Sequence, residues 1–220
     1  MPKQTFFNLP AAKRQAIVDL AIAEFAANPY AQASISQIVE RAGIAKGSLY
    51  QYFEHKQDLF LYLVEYAAAQ QLALLQEFGQ AEPHGDFFTT LRWQMGASVR
   101  VGVAAPLLVQ LMARATSPDL PFRGLAEERL QRVGSDHLAQ LVREGIDQGA
   151  LNPALDPQLI AMMIKSLTND IGRLIINRLG LSMADLLADP SRLNSPIAEQ
   201  IFDQIIGILQ HGMASPQRKG

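Results

Sequence analysis

The chain has 220 residues, no cysteine, 49% hydrophobic and 18% charged residues, and a formal net charge of −2. This balance excludes a disordered chain, a disulfide or thiolate-zinc framework and a globally basic nucleic-acid coat protein, while leaving a local DNA-binding face open. The longest uncharged run, 25–39, has only 15 residues, and the apolar run 101–113 is broken by Pro106. Both fall short of the ~20 apolar residues a bilayer-spanning helix needs. Residues 1–7 also lack the apolar core of a secretory signal, so a soluble cytoplasmic protein without a membrane segment is expected.

Helical periodicity dominates along the chain. No segment alternates apolar and polar residues as a strand does, and no Asn-Gly or Asp-Gly hairpin turn occurs. Pro and Gly gather at 28–30, 81–85, 116–124, 149–157 and 180–196, where they punctuate helices. In the first helix Ile17, Ala21 and Phe25 recur every four residues. Ile35, Ile38, Val39 and Ala42 then form one face of a second helix, with Ser34 as N-cap, Gln37 three residues later and Gly43 as the stop. A third short helix spans about 46–52 and turns Leu49 and Phe53 inward.

Two helices, a tight Gly-containing turn and a third helix form a helix-turn-helix pattern. Gly47, Ser48 and Gln51 point away from the apolar side of the third helix, with Tyr50 and Tyr52 flanking them. A small, polar and aromatic face suits a DNA major groove, and Lys46 and Lys56 stand where they can meet phosphates on either side. Each of these side chains, taken alone, could equally be surface packing or a solvated charge. Residues 1–60 hold six cations against five anions, the right sign for DNA but a small excess.

The run Ala42-Gly43-Ile44-Ala45-Lys46-Gly47-Ser48-Leu49-Tyr50-Gln51-Tyr52-Phe53-Glu54-His55-Lys56-Gln57-Asp58-Leu59-Phe60 resembles the tetracycline-repressor (TetR) family of bacterial transcription regulators. The resemblance extends over about residues 11–60. It implies an all-α chain with an N-terminal three-helix helix-turn-helix domain, 1–55, and a larger C-terminal ligand-binding and dimerisation domain, 56–220. The implied function is that of a ligand-responsive regulator, a repressor that binds a palindromic double-stranded DNA operator as a homodimer and is released by a small-molecule inducer. The family's DNA contacts carry over to Ser34, Ser36, Lys46, Gly47, Ser48, Tyr50, Gln51, Tyr52 and Lys56. Two positions depart from the pattern: Ala45 stands where a capping Ser or Thr is usual, and His55 where Ser or Asn is usual. Such a lost cap typically costs ~1 kcal/mol.

Further helices are expected at about 56–78, 86–103, 106–115 and 125–148. Asp156-Pro157 and Ser195-Pro196 each pair an N-cap with Pro at the first helical position, opening helices to about 179 and 213. On the first of these Ile160, Ile164, Leu167, Ile171 and Leu174 form a stripe. Met163 and Ile175 add a second apolar edge to it, and on the second helix Ile197, Ile201, Ile205 and Ile208 form a stripe beside Phe202, Ile206 and Leu209. A helix apolar on two sides buries both, so these stripes are either intrachain core or a two-fold dimer interface. The resemblance implies the dimer, as a four-helix bundle.

Tyr62, Tyr66, Phe88, Trp93, Met112 and Met163 could line an adaptable apolar pocket with Asn169 as a polar anchor, or could simply be core. The sequence contains no Glu-x-x-His pair, His-Glu-x-x-His, P-loop, Gly-x-Gly-x-x-Gly or Gly-x-Ser-x-Gly. No metal, cofactor or catalytic activity is therefore expected. The alternatives are an all-α enzyme built from distant residues and a helical ligand-binding module that has lost DNA binding.

Overall fold

A computed structural model describes residues 2–78 and 85–213. Its α-helices are α1 (Gln4–Phe7), α2 (Ala11–Ala27), α3 (Ile35–Arg41), α4 (Lys46–Tyr52), α5 (Lys56–Phe78), α6 (Phe87–Ala104), α7 (Pro106–Ala115), α8 (Arg123–Asp147), α9 (Pro157–Leu179), α10 (Met183–Ala188) and α11 (Pro196–Met213). A 3₁₀ turn, Pro190–Leu193, precedes α11, and the described residues include no strand. The fold is all-α. No single described helix is long and apolar enough to cross a membrane.

The chain divides into two compact units. One is drawn from Met1–Leu72 and Ala105–Gly134, the other from Ala73–Ala104 and Ser135–Gly220. The division expected at residues 55/56 therefore falls inside the first unit, because the three N-terminal helices do not complete their own core. Ile17, Ala21 and Phe25 of α2, Ile38 of α3, Leu49 of α4 and Phe53 just after it are buried. The same cluster takes in Phe60, Leu63 and Val64 of α5 and Leu111 and Ala115 of α7. Aromatic rings join its parts edge to face. Phe60 meets both Phe25 and Tyr30, and Tyr30 meets Phe122 at 4.7 Å between centroids. Arg114 of α7 donates to the carbonyls of Ala26 and Ala27, which closes the open C-terminal end of α2.

The turn between α3 and α4 sets the angle of the helix-turn-helix. Gly43 has φ +63°, the left-handed region that side chains disfavour. Its N–H donates to Glu40 and that of Ile44 donates to Val39, the paired closure of a Schellman motif. Ser34 caps α3 as its position predicts, accepting from the Gln37 N–H.

In the second unit α6 lies against α9 and α11. Phe87, Leu91, Met95 and Val99 of α6 share a core with Ile160, Ile164, Ile171 and Ile175 of α9 and with Phe202, Ile206 and Leu209 of α11. Asp156 caps α9 by accepting from Gln158 N–H, and Ser195 accepts from Ala198 N–H at the start of α11. The segment 180–196, expected as a break, contains α10 and the 3₁₀ turn. Six residues are too few to show a helical period, although Ser182 and Asp185 form a complete capping box.

Gly43→Ala tests the turn. Nothing lies within 4 Å of an added Cβ there, so the cost is backbone strain alone. Urea unfolding is expected to show a loss of about 1–2 kcal/mol; an unchanged midpoint and slope would mean that the left-handed turn carries no strain for alanine.

Candidate nucleic-acid interface

The interface candidate is the outer side of α4. Its inner side is fixed by Leu49 and by Phe53, the residue after its last turn, both almost wholly buried. Helical geometry then leaves Gly47, Tyr50 and Gln51 exposed and Ser48 half-buried. Tyr50 is 46% exposed, a large ring presented to solvent. Ser36 is exposed on α3, while the Ser34 hydroxyl is taken up by the N-cap. Ala45 gives α4 no side-chain cap, as its identity predicts. The Lys46 side chain lies outside the described residues.

Two expected contact residues face elsewhere. Tyr52 is only 8% exposed, with its ring centroid 6.0 Å from that of Phe6. It is part of the core and not a flank of the outer face, because α1 packs over the side of α4 that the three-helix pattern leaves open. Lys56 is drawn inward. Its ammonium donates to the Tyr30 carbonyl and sits 4.6 Å from the centre of the Tyr30 ring. Burial pushes its pKa down, and the negative charge of Glu24 raises it in partial compensation.

Glu24 was not visible as a functional residue in the sequence. It is 5% exposed on the buried face of α2. One carboxylate oxygen accepts from the Ser34 N–H at 2.7 Å and from the Asn28 side-chain amide at 3.1 Å. A charged residue one position before Phe25, on a helix whose apolar residues sit at 17, 21 and 25, was the available signal. Glu24 thus fixes the start of α3, and through Tyr30 and Lys56 the same corner holds the start of α5.

The expected ligand residues divide between the units. Tyr62, Tyr66 and Met112 pack against the first unit's core, and Phe88 is buried in the second. Met163 is exposed, and the Asn169 side chain lies outside the described residues. Trp93 alone of this set borders the cavity of about 90 Å³ found in the second unit, beside Val99, Arg100, Asn194 and Phe202. At the rim Arg92 of α6 bridges to Glu199 and Asp203 of α11. Among the described residues no three His, Asp or Glu side chains gather as metal ligands would.

The expected dimer stripe also needs correction. Ile160, Ile164 and Ile171 point into the second unit's own core, and Ile201 and Ile205 are half-buried against it. The exposed apolar residues of α9 are Leu159, Met162, Met163, Leu167 and Leu174, and those of α11 are Ile197 and Ile208. The expected stripe therefore divides: Leu167, Leu174 and Ile208 stay on the outside, while the other five turn toward the core.

The model for bacterial regulatory proteins of the tetR family matches residues 17–63, which span α3, α4 and most of α2. A TetR family transcriptional regulator from Chloroflexus aurantiacus J-10-FL is 35% identical, with 98% of this chain and 100% of that chain covered and a TM-score of 0.77. This chain belongs to the TetR family. The fatty acid metabolism regulator protein of Bacillus subtilis (strain 168) is 26% identical over 156 residues, 69% of this chain and 77% of that protein. The TetR fold recurs in FadR from Bacillus subtilis, solved in complex with stearoyl-CoA, at a TM-score of 0.66 and 20% identity over 87% of this chain and 97% of that one. Membership makes the chain a TetR-family transcriptional regulator of the DNA-binding, ligand-binding, all-α kind.

Glu24→Ala would leave the part-buried Ser34 N–H without its acceptor. A loss of about 1–3 kcal/mol in urea unfolding is expected, with Glu24→Gln, which keeps an acceptor oxygen, losing less. A Glu24→Ala variant as stable as the parent would show the bridge to be idle.

Proposed function

We propose that the protein is a repressor that binds a palindromic operator as a homodimer and is released by a small-molecule effector. The observation that carries the reading is the outer side of α4: Gly47, Tyr50 and Gln51 are exposed and Ser48 half-buried on a helix locked from behind by Leu49 and Phe53. Gly47 lets the backbone approach a groove closely, and Gln51 supplies the paired donor and acceptor that read adenine. Tyr50 offers its ring and hydroxyl, Ser36 and Lys46 reach phosphates, and Ser34 orients α3. Lys56 supports this face through Tyr30 and leaves the phosphates to other cations. No step of this reading requires catalysis.

Dimerisation places a second copy of α4 in the next major groove, about 34–36 Å away. The surface we assign to it is the outer stripe of α9, with Leu159, Met163, Leu167 and Leu174, together with Ile197 and Ile208 of α11. Ile208 is 72% exposed, which an isolated chain gains nothing by presenting. The effector acts by preferring the conformation that does not fit the operator; equal affinity for both would shift nothing. One structural neighbour was solved with stearoyl-CoA bound. A cavity of about 90 Å³ in this chain's second unit, bordered by Trp93, is smaller than the ~300–1,000 Å³ of pockets for drug-sized ligands.

Fluorescence anisotropy against the DNA upstream of the protein's own gene and an unrelated duplex, across a salt series, tests the reading. Tight binding to the first alone, weakening as salt rises, is expected. Gln51→Ala should reduce the difference between the two duplexes by about 1–3 kcal/mol while leaving the unrelated duplex unaffected. Equal losses on both would remove Gln51 from base reading.

For the interface, Leu174→Glu with Ile208→Glu should sediment as a folded monomer. A folded variant that still sediments as a dimer would refute the assignment. Ile171→Glu should instead unfold the second unit, because it puts an unpaired charge into the core.

A further inference from the structure

We propose that residues 3–7 form a clasp that closes the C-terminal end of the recognition helix, which makes Lys3, Thr5 and Phe6 positioning residues for sequence reading. The inference rests on the assignment of α4 as the reading helix. A helix leaves its last four carbonyls without intrahelical partners. In α4 the Leu49 carbonyl receives the Phe53 N–H. The usual closure by a left-handed residue is absent, since Phe53 is extended at φ −128°, ψ 144°.

The remaining three carbonyls are all met by the N-terminal segment. The Lys3 ammonium donates to Tyr50 at 2.9 Å, the Thr5 hydroxyl donates to Gln51, and the Lys3 N–H donates to Tyr52 at 2.8 Å. The ammonium also lies at the negative end of the helix dipole, where a cation is favoured.

The clasp is anchored on both sides. Phe6 is wholly buried, with its ring centroid 4.8 Å from Phe53 and 5.5 Å from Tyr62. Arg14 of α2 donates to the Phe7 carbonyl at 2.9 Å. Two of the three carbonyls that the clasp holds belong to Tyr50 and Gln51, the residues whose side chains stand on the outer face. Without the clasp the turn carrying them frays, while Gly47 and Ser48, one turn earlier, keep their hydrogen bonds. The clasp therefore governs how sharply the DNA is read more than whether it is bound.

The test uses the full chain with Lys3→Met and Thr5→Val combined. The first readout needs no DNA: amide hydrogen exchange over residues 49–53 of the free protein should quicken about fivefold, with α3 unchanged. The second uses the duplex that the wild-type protein selects from a randomised pool. Affinity for it should fall about tenfold, and affinity for the unselected pool by less than about twofold, one charge-assisted and one neutral hydrogen bond being lost. Lys3→Arg in a chain that keeps Thr5 should leave both readouts near those of the parent.

Unchanged exchange at 49–53 would overturn the clasp whatever the DNA result. Equal losses on both DNAs with a flatter salt dependence would make Lys3 a phosphate contact and overturn the positioning role. If the wild-type protein selects no duplex, the reading of α4 fails, while exchange still decides the clasp. Thr5→Val alone, which keeps the volume and removes one hydroxyl, should give the same pattern at smaller size should the double variant not fold.

Discussion

A helix of seven residues has too few internal hydrogen bonds to hold its own shape in water, so whatever α4 reads, it reads only because its surroundings complete it. Its inner face is filled by Leu49 and Phe53, and its approach is set by the left-handed Gly43 turn. Its N-terminal end has no side-chain cap, since Ala45 can supply none. Its C-terminal end is met by a segment about fifty residues earlier in the chain. Much of the first unit can be understood as answering this one shortage. Glu24 fixes where α3 begins, α3 fixes the turn, and the Phe6, Phe53 and Tyr62 rings fix where α4 ends.

The second unit has a different constraint. Helices α9 and α11 carry more apolar surface than one chain can cover. Ile160, Ile164, Ile171 and Ile175 satisfy α6, and what is left over, Leu159, Met162, Met163, Leu167 and Leu174, lies on the outside with Ile197 and Ile208. Burial of such side chains is worth roughly 1.5–3 kcal/mol each. Their exposure is what supports the dimer surface proposed above, while the partly exposed intrachain pairs of Arg92 with Glu199 and Asp203 contribute little.

The helices were legible wherever three turns or a cap-and-proline start made them so, which is why α9 and α11 begin where Asp156-Pro157 and Ser195-Pro196 place them. The outer face of α4 was legible because the spacing of Leu49 and Phe53 fixes its opposite side. What could not be read was direction among near-equivalent faces. Two apolar stripes on α9 look alike until the position of α6 decides between them. Tyr52 and Lys56 sit at the border of the outer face, and their aim depends on Phe6 and Tyr30, residues distant in sequence. The short elements α1 and α10 were invisible for want of a period, and with α1 went the contacts that Lys3 and Thr5 make.

Arg114 has a consequence for how this regulator can be taken apart. By donating to the last carbonyls of α2, and with Leu111 and Ala115 in the same core, α7 makes itself a structural part of the DNA-reading head from far along the chain. The three N-terminal helices are thus not a portable cassette. Grafted onto another scaffold without α7 and the first half of α5, they would carry a bare apolar face and an unclosed helix end. In this protein the unit of inheritance and exchange is larger than the unit of recognition.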